Sequence, residues 1–163
     1  MITSHENYSA VYQPIYVTAC IEEGMKTIDS IQAWNYYNTT MDDNRPYSNL
    51  WFPDRLPVPQ FFQVQSINIV SHSDTVQIRN PKPVIEWLAK ASFQFIIGCF
   101  QFFICPAIDL YQRRYYSFDN SLAKPIEISP NQNFFWQINS NDPAMDDFAL
   151  RVYLNGLLFR SYG

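Results

Sequence analysis

Apolar and polar positions alternate with a period of two over most of the chain beyond residue 60, a pattern that predicts strands and few helices. In Phe61–Val70, FFQVQSINIV, Ile67 and Ile69 alternate with polar partners while Phe62 and Val64 fall on the opposite parity. That change of phase predicts a β-bulge or a two-sided environment. Ser71–Thr75 reads as a polar turn, Val76–Arg79 as a short strand, and Asn80–Pro83 as a stop before two helical turns over Val84–Lys90. Asp109–Tyr116 alternates Leu110 with aromatic side chains, and Ser117–Lys124 reads as a loop. Pro125–Pro130 and the strand Phe134–Asn139 flank a turn at Asn131–Asn133.

The sharpest local signal is Asn155-Gly156 inside Arg151–Arg160, RVYLNGLLFR, which predicts a two-residue type I′ hairpin. In that register Leu154 opposes Leu157, Val152 opposes Phe159 and Arg151 opposes Arg160, so Val152, Leu154, Leu157 and Phe159 form the core face. Two opposed arginines each need an acid, and Asp146, Asp147 or a neighbouring subunit would supply it.

Residues 1–57 differ from the rest in being rich in Asn, Asp, Tyr and Pro, and read as an N-terminal arm ahead of a domain over 58–163. Within the arm Ile21, Met25, Ile28, Ile31 and Trp34 recur every three or four residues, predicting a short helix in Ile21–Tyr37 weakened at its start by Gly24. Pro53, Pro57 and Pro59 then force extended backbone.

Ala91–Ile108, ASFQFIIGCFQFFICPAI, is 18 residues without a charge, about the shortest stretch that spans a membrane as a helix. Gln94 and Gln101 in its middle, Gly98, Pro106 and its Phe and Ile content favour a buried strand pair or one long bent strand.

Composition sharpens the picture. The 163 residues are 47% hydrophobic, 17% aromatic and 16% charged, against about 25% charged for ordinary globular chains, which excludes disorder and a solvated coiled coil. Eleven Pro and four Gly with so many aromatics place the chain in the all-β class as one domain with an arm. A net charge of −4 argues against a nucleic-acid-binding face, and Arg113-Arg114, although flanked by Tyr115 and Tyr116, is a single basic pair. Cys20, Cys99 and Cys105 show neither zinc spacing nor a disulfide framework, and MITSHENYSA has no secretory pattern.

Catalytic chemistry finds few candidates. His5 and His72 are too few for a metal cluster, and Ser71, His72 and Asp74 on an extended chain point to alternate faces and do not converge as a triad. The scattered glycines form no phosphate loop. No cofactor and no metal are expected. Asn139, Asn141, Asp142, Asp146 and Asp147 would suit calcium if the loop closed around it, but the spacing is not that of an EF-hand and a solvated acidic loop is the plainer reading. Trp34, Tyr36 and Tyr37, Trp51 and Phe52, and the cluster Arg113, Arg114, Tyr115 and Tyr116 are the interface candidates, with sugar stacking as the alternative use of the aromatics.

Leu56–Ile69, LPVPQFFQVQSINI, and Phe148–Arg160, FALRVYLNGLLFR, together resemble the first core strand and final hairpin of small single jelly-roll capsid proteins from tailless icosahedral bacterial viruses. Ser92–Gly98 and Pro125–Phe134 sit where that pattern expects further strands, so the likeness covers roughly 56–160. The resemblance implies an eight-stranded antiparallel single jelly roll, no enzymatic activity, and a structural role in the virion as a penton, vertex or minor capsid subunit assembled in the host cytoplasm. It implies partners of the same kind: copies of itself as a homo-oligomer, five to a ring, and other capsid proteins, with no sequence-specific nucleic acid, and it leaves room for proximity to a virion membrane. A carbohydrate- or receptor-binding jelly-roll spike module is the alternative, and an enzyme using Glu86, Asp109 and Glu127 a third.

Overall fold

Alternation of buried and exposed side chains turns most of the chain into strand. The structure, a computed structural model, describes residues 8–40, 47–72, 82–112 and 121–161. In order these form β1 (Tyr8–Tyr12), β2 (Ile15–Ile21), β3 (Thr27–Asp29), α1 (Ser30–Thr40), β4 (Phe61–His72), α2 (Lys82–Ala89), β5 (Ala91–Ile97) and β6 (Phe100–Pro106). A 3-10 turn (Ala107–Leu110), β7 (Tyr111–Gln112), β8 (Ser121–Ile128), β9 (Phe134–Ser140) and β10 (Phe148–Ser161) follow. The fold is all-β in class, mostly antiparallel strand with two helices. The expected strand at Val76–Arg79 lies outside the described residues.

In one sheet β10 and β4 pair along their length. β2 and then β1 line the other side of β10, while β8 and the short parallel β7 line the other side of β4. The second sheet runs β3-β9-β5-β6. Inward side chains of the two sheets share one core: Val17, Phe62, Ile69, Val152 and Leu154 from the first, Ile28, Phe93, Phe95, Trp136 and Ile138 from the second. Phe93 stacks on Trp136 with ring centres 6.3 Å apart. α2 closes one end with Val84, Trp87 and Leu88 buried, and the indole of Trp87 donates to the Met25 carbonyl at 3.0 Å.

The phase change in β4 is a β-bulge at Gln65. On one side Asn155 pairs with Ser66 and Gly156 with Val64, on the other Val64 pairs with Ile126 and Ser66 with Ser121, so both neighbours skip Gln65. The extra residue lets Phe62 and Val64 share the inward face with Ile67 and Ile69 despite opposite parity.

The Asn155-Gly156 hairpin does not form. β10 runs straight through the pair, Gly156 is not among the positive-φ glycines, and a Cβ placed on it would lie 1.8 Å from the Gln63 carbonyl oxygen. Gly156 is there so that β4 can come close at its bulge, and not to turn the chain. Parity is therefore unbroken along β10: Leu150, Val152, Leu154 and Leu158 are buried, while Leu157 and Phe159 are half-exposed on the other face. Arg151 and Arg160 do not oppose each other. Arg151 donates from Nε to Thr18 Oγ1 at 2.8 Å and lies over the Tyr16 ring, and Arg160 donates to Gln13 Oε1 at 3.1 Å.

Residues 8–40 are built into the sandwich in place of lying out as an arm. Ile15, Val17, Ala19 and Ile21 of β2 are buried against the chain's own core, since alternation IYVTACI buries one face when β10 offers its edge. The helix starts later than the apolar spacing suggests. Ile21 ends β2, Met25 follows a turn at Gly24 with φ +91°, and Ile28 lies in β3. A reciprocal cap sets the start: Asp29 Oδ1 accepts from the Gln32 N–H at 2.8 Å, and Gln32 Oε1 accepts from the Asp29 N–H at 3.3 Å. The run from Ala91 is a strand pair, β5 and β6, joined through Gly98 at φ +62°. Among the described residues no helix is long and apolar enough to cross a membrane. Ser121–Lys124, expected in a loop, belongs to β8 and pairs through Ser121 with Ser66.

Candidate interaction surface

β6 is the edge of its sheet, and its sequence FQFFICP is apolar on both faces. In a two-sheet sandwich only one face of a strand packs on the facing sheet, so a strand apolar at both parities leaves apolar side chains outside, and at the edge it also lacks a neighbour on one side. Phe103 and Cys105 turn partly inward and pack against the core. Phe100, Phe102 and Ile104 stay 69%, 55% and 58% exposed, a larger apolar display than any helix of the chain makes among the described residues. The neighbouring strands add outward Ser92, Gln94 and Ile96 on β5 and Phe135, Gln137 and Asn139 on β9, none of them charged.

A second apolar display sits at the end of the sandwich where β5 turns into β6. The Gly98 N–H donates to Asn133 O at 2.8 Å, the Phe134 N–H to Asp54 O at 2.7 Å, and the Asn131 N–H to Leu56 O, which ties the 51–59 loop and the two turns together in one rim. Trp51 on this loop is 80% exposed and Val58 69%, while Phe52 lies beneath the Arg55 guanidinium at 4.7 Å.

The other expected interface residues divide. Trp34 and Tyr37 are part of the fold: the Trp34 indole donates to Leu50 O at 3.1 Å, and Tyr37 is buried, stacked on Tyr47 with centres 4.0 Å apart. Tyr36 is 41% exposed and meets Tyr37 edge-on. Contacts with Cys20 and burial push the Tyr36 phenol up from its ordinary value, the nearby thiol first. Arg113, Arg114, Tyr115 and Tyr116 lie outside the described residues. Sequence reasoning missed Phe100, Phe102, Ile104 and Val58.

Three of the five side chains considered for calcium are engaged within the fold. Asp142 pairs with Lys90 at 2.5 Å, Asp147 Oδ1 accepts from the Glu23 N–H at 2.7 Å, and Asn139 Oδ1 accepts from the Thr27 hydroxyl at 2.5 Å. Of Glu86, Asp109 and Glu127, Glu86 faces Lys82 one helical turn away at 3.7 Å. Among the described residues no three His, Cys, Asp or Glu side chains cluster as metal ligands. The interior void beside Val17, Trp136 and Leu154 measures about 10 Å³, room for one water at most. An open groove of about 530 Å³ lies beside Ile104, Ser92, Asn139 and Lys90, continuous with the β6 face. Comparison of the chain with family models, curated proteins and solved structures returns no match.

Proposed function

We propose that the chain is a structural subunit of a viral capsid shell, a penton or other minor subunit, folded as a single jelly roll. The observation that carries the reading is the strand order. With the short β1 and β7 set aside, eight strands remain, and the first pairs with the last, the second with the seventh, the third with the sixth, and the fourth with the fifth: β2 with β10, β3 with β9, β4 with β8, β5 with β6. That is the pairing of one long hairpin, and β10 on β4 and β9 on β5 are the contacts made when such a hairpin is rolled into two facing sheets. Lettered B to I, the sheets read B-I-D-G and C-H-E-F, the jelly-roll order shared by many capsid and lectin domains.

Fold alone does not choose between those roles, so the surface has to. The exposed apolar side chains Phe100, Phe102 and Ile104 of the edge strand and Trp51 and Val58 of the rim favour contact with other proteins, whereas a sugar-binding module would use the open groove beside Ile104, Ser92, Asn139 and Lys90. Surfaces of that kind support contact with other proteins in a shell. Native mass spectrometry and electron microscopy of the purified full chain test the reading, with a ring of five or larger closed particles as the expected outcome. A chain that neither forms rings nor joins particles, and instead binds glycans on an array, overturns it in favour of the spike-type module.

A further inference from the structure

We infer that Asn155-Gly156 is a covalent modification site, a deamidation site closed in the folded sheet and open in the unfolded chain, so that chains slow to fold are retired irreversibly. The inference is independent of the shell reading. Asn155-Gly156 is the only Asn-Gly pair in the sequence. In an open chain such a pair reacts with itself, because glycine has no side chain to shield its nitrogen and lets the backbone turn freely. The Gly156 nitrogen gives up its proton to water and attacks Asn155 Cγ. A C–N bond forms, the Cγ–Nδ2 bond breaks, and Nδ2 takes up a proton and leaves as ammonia. Water then opens the five-membered succinimide at either of its two carbonyls, which leaves aspartate or isoaspartate at position 155. The net change is one water consumed and one ammonia released.

The fold closes the site in three ways. Asn155 is fully buried, and its Nδ2, the leaving group, donates to Ser66 Oγ at 3.1 Å. Both residues run straight within β10, whereas ring closure requires Asn155 to turn out of the extended ψ of about +135°. That turn would break the pairing of Asn155 with Ser66 and of Gly156 with Val64 on one side, and the bond from the Gln13 N–H to Gly156 O at 3.1 Å on the other. Because β10 has neighbours on both sides, it opens only when the sheet does. The same geometry makes the damage permanent. Isoaspartate adds a methylene to the main chain in the middle of β10 and slips every later residue against β4 and β1. Aspartate puts a carboxylate where a buried amide donated to Ser66. Substitution does not remove the hazard cheaply, since any Cβ at 156 meets the Gln63 carbonyl oxygen at 1.8 Å and the Asn155 amide is committed to Ser66. The most labile pair of the chain is therefore one that the central strand requires.

Peptide mapping by mass spectrometry decides the matter, on the full chain held folded in neutral buffer and on the same chain held unfolded in urea at the same pH and temperature. The folded chain should lose ammonia at 155 about 1,000-fold more slowly or slower still, because folding constants of about 10³–10⁸ limit how seldom the strand opens. The urea sample, once partly deamidated, is returned to buffer, and its folded and unfolded fractions are separated by size-exclusion chromatography. The folded fraction should retain Asn155, and the unfolded fraction should be enriched in aspartate and isoaspartate at that position. Should the parent fail to refold from urea, Asn155→Asp produced directly tests the second half, with a lowered melting temperature or no folded protein as the expected result. Equal rates of loss in the folded and urea-held chain overturn the inference. So does a folded fraction as rich in isoaspartate at 155 as the unfolded one, or an Asn155→Asp chain that melts within a degree of the parent. None of these readouts depends on whether copies form rings, so failure here and failure of the shell reading are told apart.

Discussion

Gly156 is the position at which one added methyl group should do most damage for least chemistry. Its Cβ would lie 1.8 Å from the Gln63 carbonyl oxygen, 2.9 Å from the carbonyl carbon and 3.2 Å from the Gln65 nitrogen, all of them main chain. No rotamer change relieves such a contact, since the obstructing atoms belong to β4 at the bulge. The carbonyl would have to retreat from 1.8 Å to at least 3.4 Å for ordinary contact, which opens the β10–β4 ladder where Asn155 pairs with Ser66 and Gly156 with Val64. Overpacking strain of about 1–3 kcal/mol and the weakening of about two ladder hydrogen bonds at about 0.5–1.5 kcal/mol each put the cost of Gly156→Ala at about 2–6 kcal/mol, and at about 3 kcal/mol if the bulge yields part of the way. At about 2–4 °C per kcal/mol for a domain of this size, the melting temperature should fall by about 6–12 °C. Gly156→Asn sharpens the test. Asn accepts the left-handed backbone of a type I′ turn, so a hairpin would tolerate it, whereas in a straight strand its Cβ meets the same carbonyl. Thermal melting of the parent and both variants is the assay. An Asn variant that melts with the parent, or an Ala variant within a degree of it, would refute the strand and restore the turn.

Three other perturbations have defined outcomes. Trp136→Ala removes a fully buried indole stacked on Phe93 and should cost about 3–5 kcal/mol in urea unfolding. Arg151→Met should cost about 1–2 kcal/mol in the same assay, because it takes the guanidinium off Tyr16 and strips a donor from the buried Thr18 hydroxyl, and Arg151→Lys should not restore it. Burial, then the charge of Asp109, pushes the Cys105 thiol up from 9.0 to about 11. Between those values the unfolded thiol ionises and the folded one does not, so its contribution to stability is full below pH 9 and declines as pH rises toward 11, and Cys105→Ala should lessen the alkaline loss in pH-dependent melting.

Much of the sandwich was legible because burial on one face leaves a period of two. β5 and β9 alternate without interruption, ASFQFII and FFWQINS, and their inward Phe93, Phe95, Trp136 and Ile138 are core residues. The bulge in β4 was legible for the same reason, as a parity change inside one apolar run. The hairpin was misread because Leu157, Leu158 and Phe159 are apolar at both parities, so they satisfy a fold-back and a straight strand equally. A local turn signal then competed with a twelve-residue partner strand, whose ladder of hydrogen bonds and buried side chains outweighs the preference of two residues. In the first forty residues an overlooked local signal was decisive: Asp29-x-x-Gln32 marks the helix start, while the spacing of Ile21, Met25 and Ile28 mimics a helix across a strand, a turn and another strand.

The interaction surface was harder to read for a different physical reason. A strand apolar on both faces, such as Phe100–Pro106, is equally consistent with the middle of a sheet and with its edge, and nothing within the strand distinguishes the two. The distinction is made by its neighbours: β5 takes β6 on one side and β9 on the other, and β9 in turn takes β3, which leaves β6 outermost. Aromatic clustering therefore pointed to Trp34 and Tyr37, which the fold consumes by packing them on Leu50 and Tyr47, and passed over Phe102, which it leaves outside. Among the described residues Phe102 and Ile104 stand exposed at an edge, which leaves apolar surface in water at a cost. Laying another apolar surface against these side chains would remove that cost, and this is why the oligomeric state of the chain and the stability of β6 should be measured together.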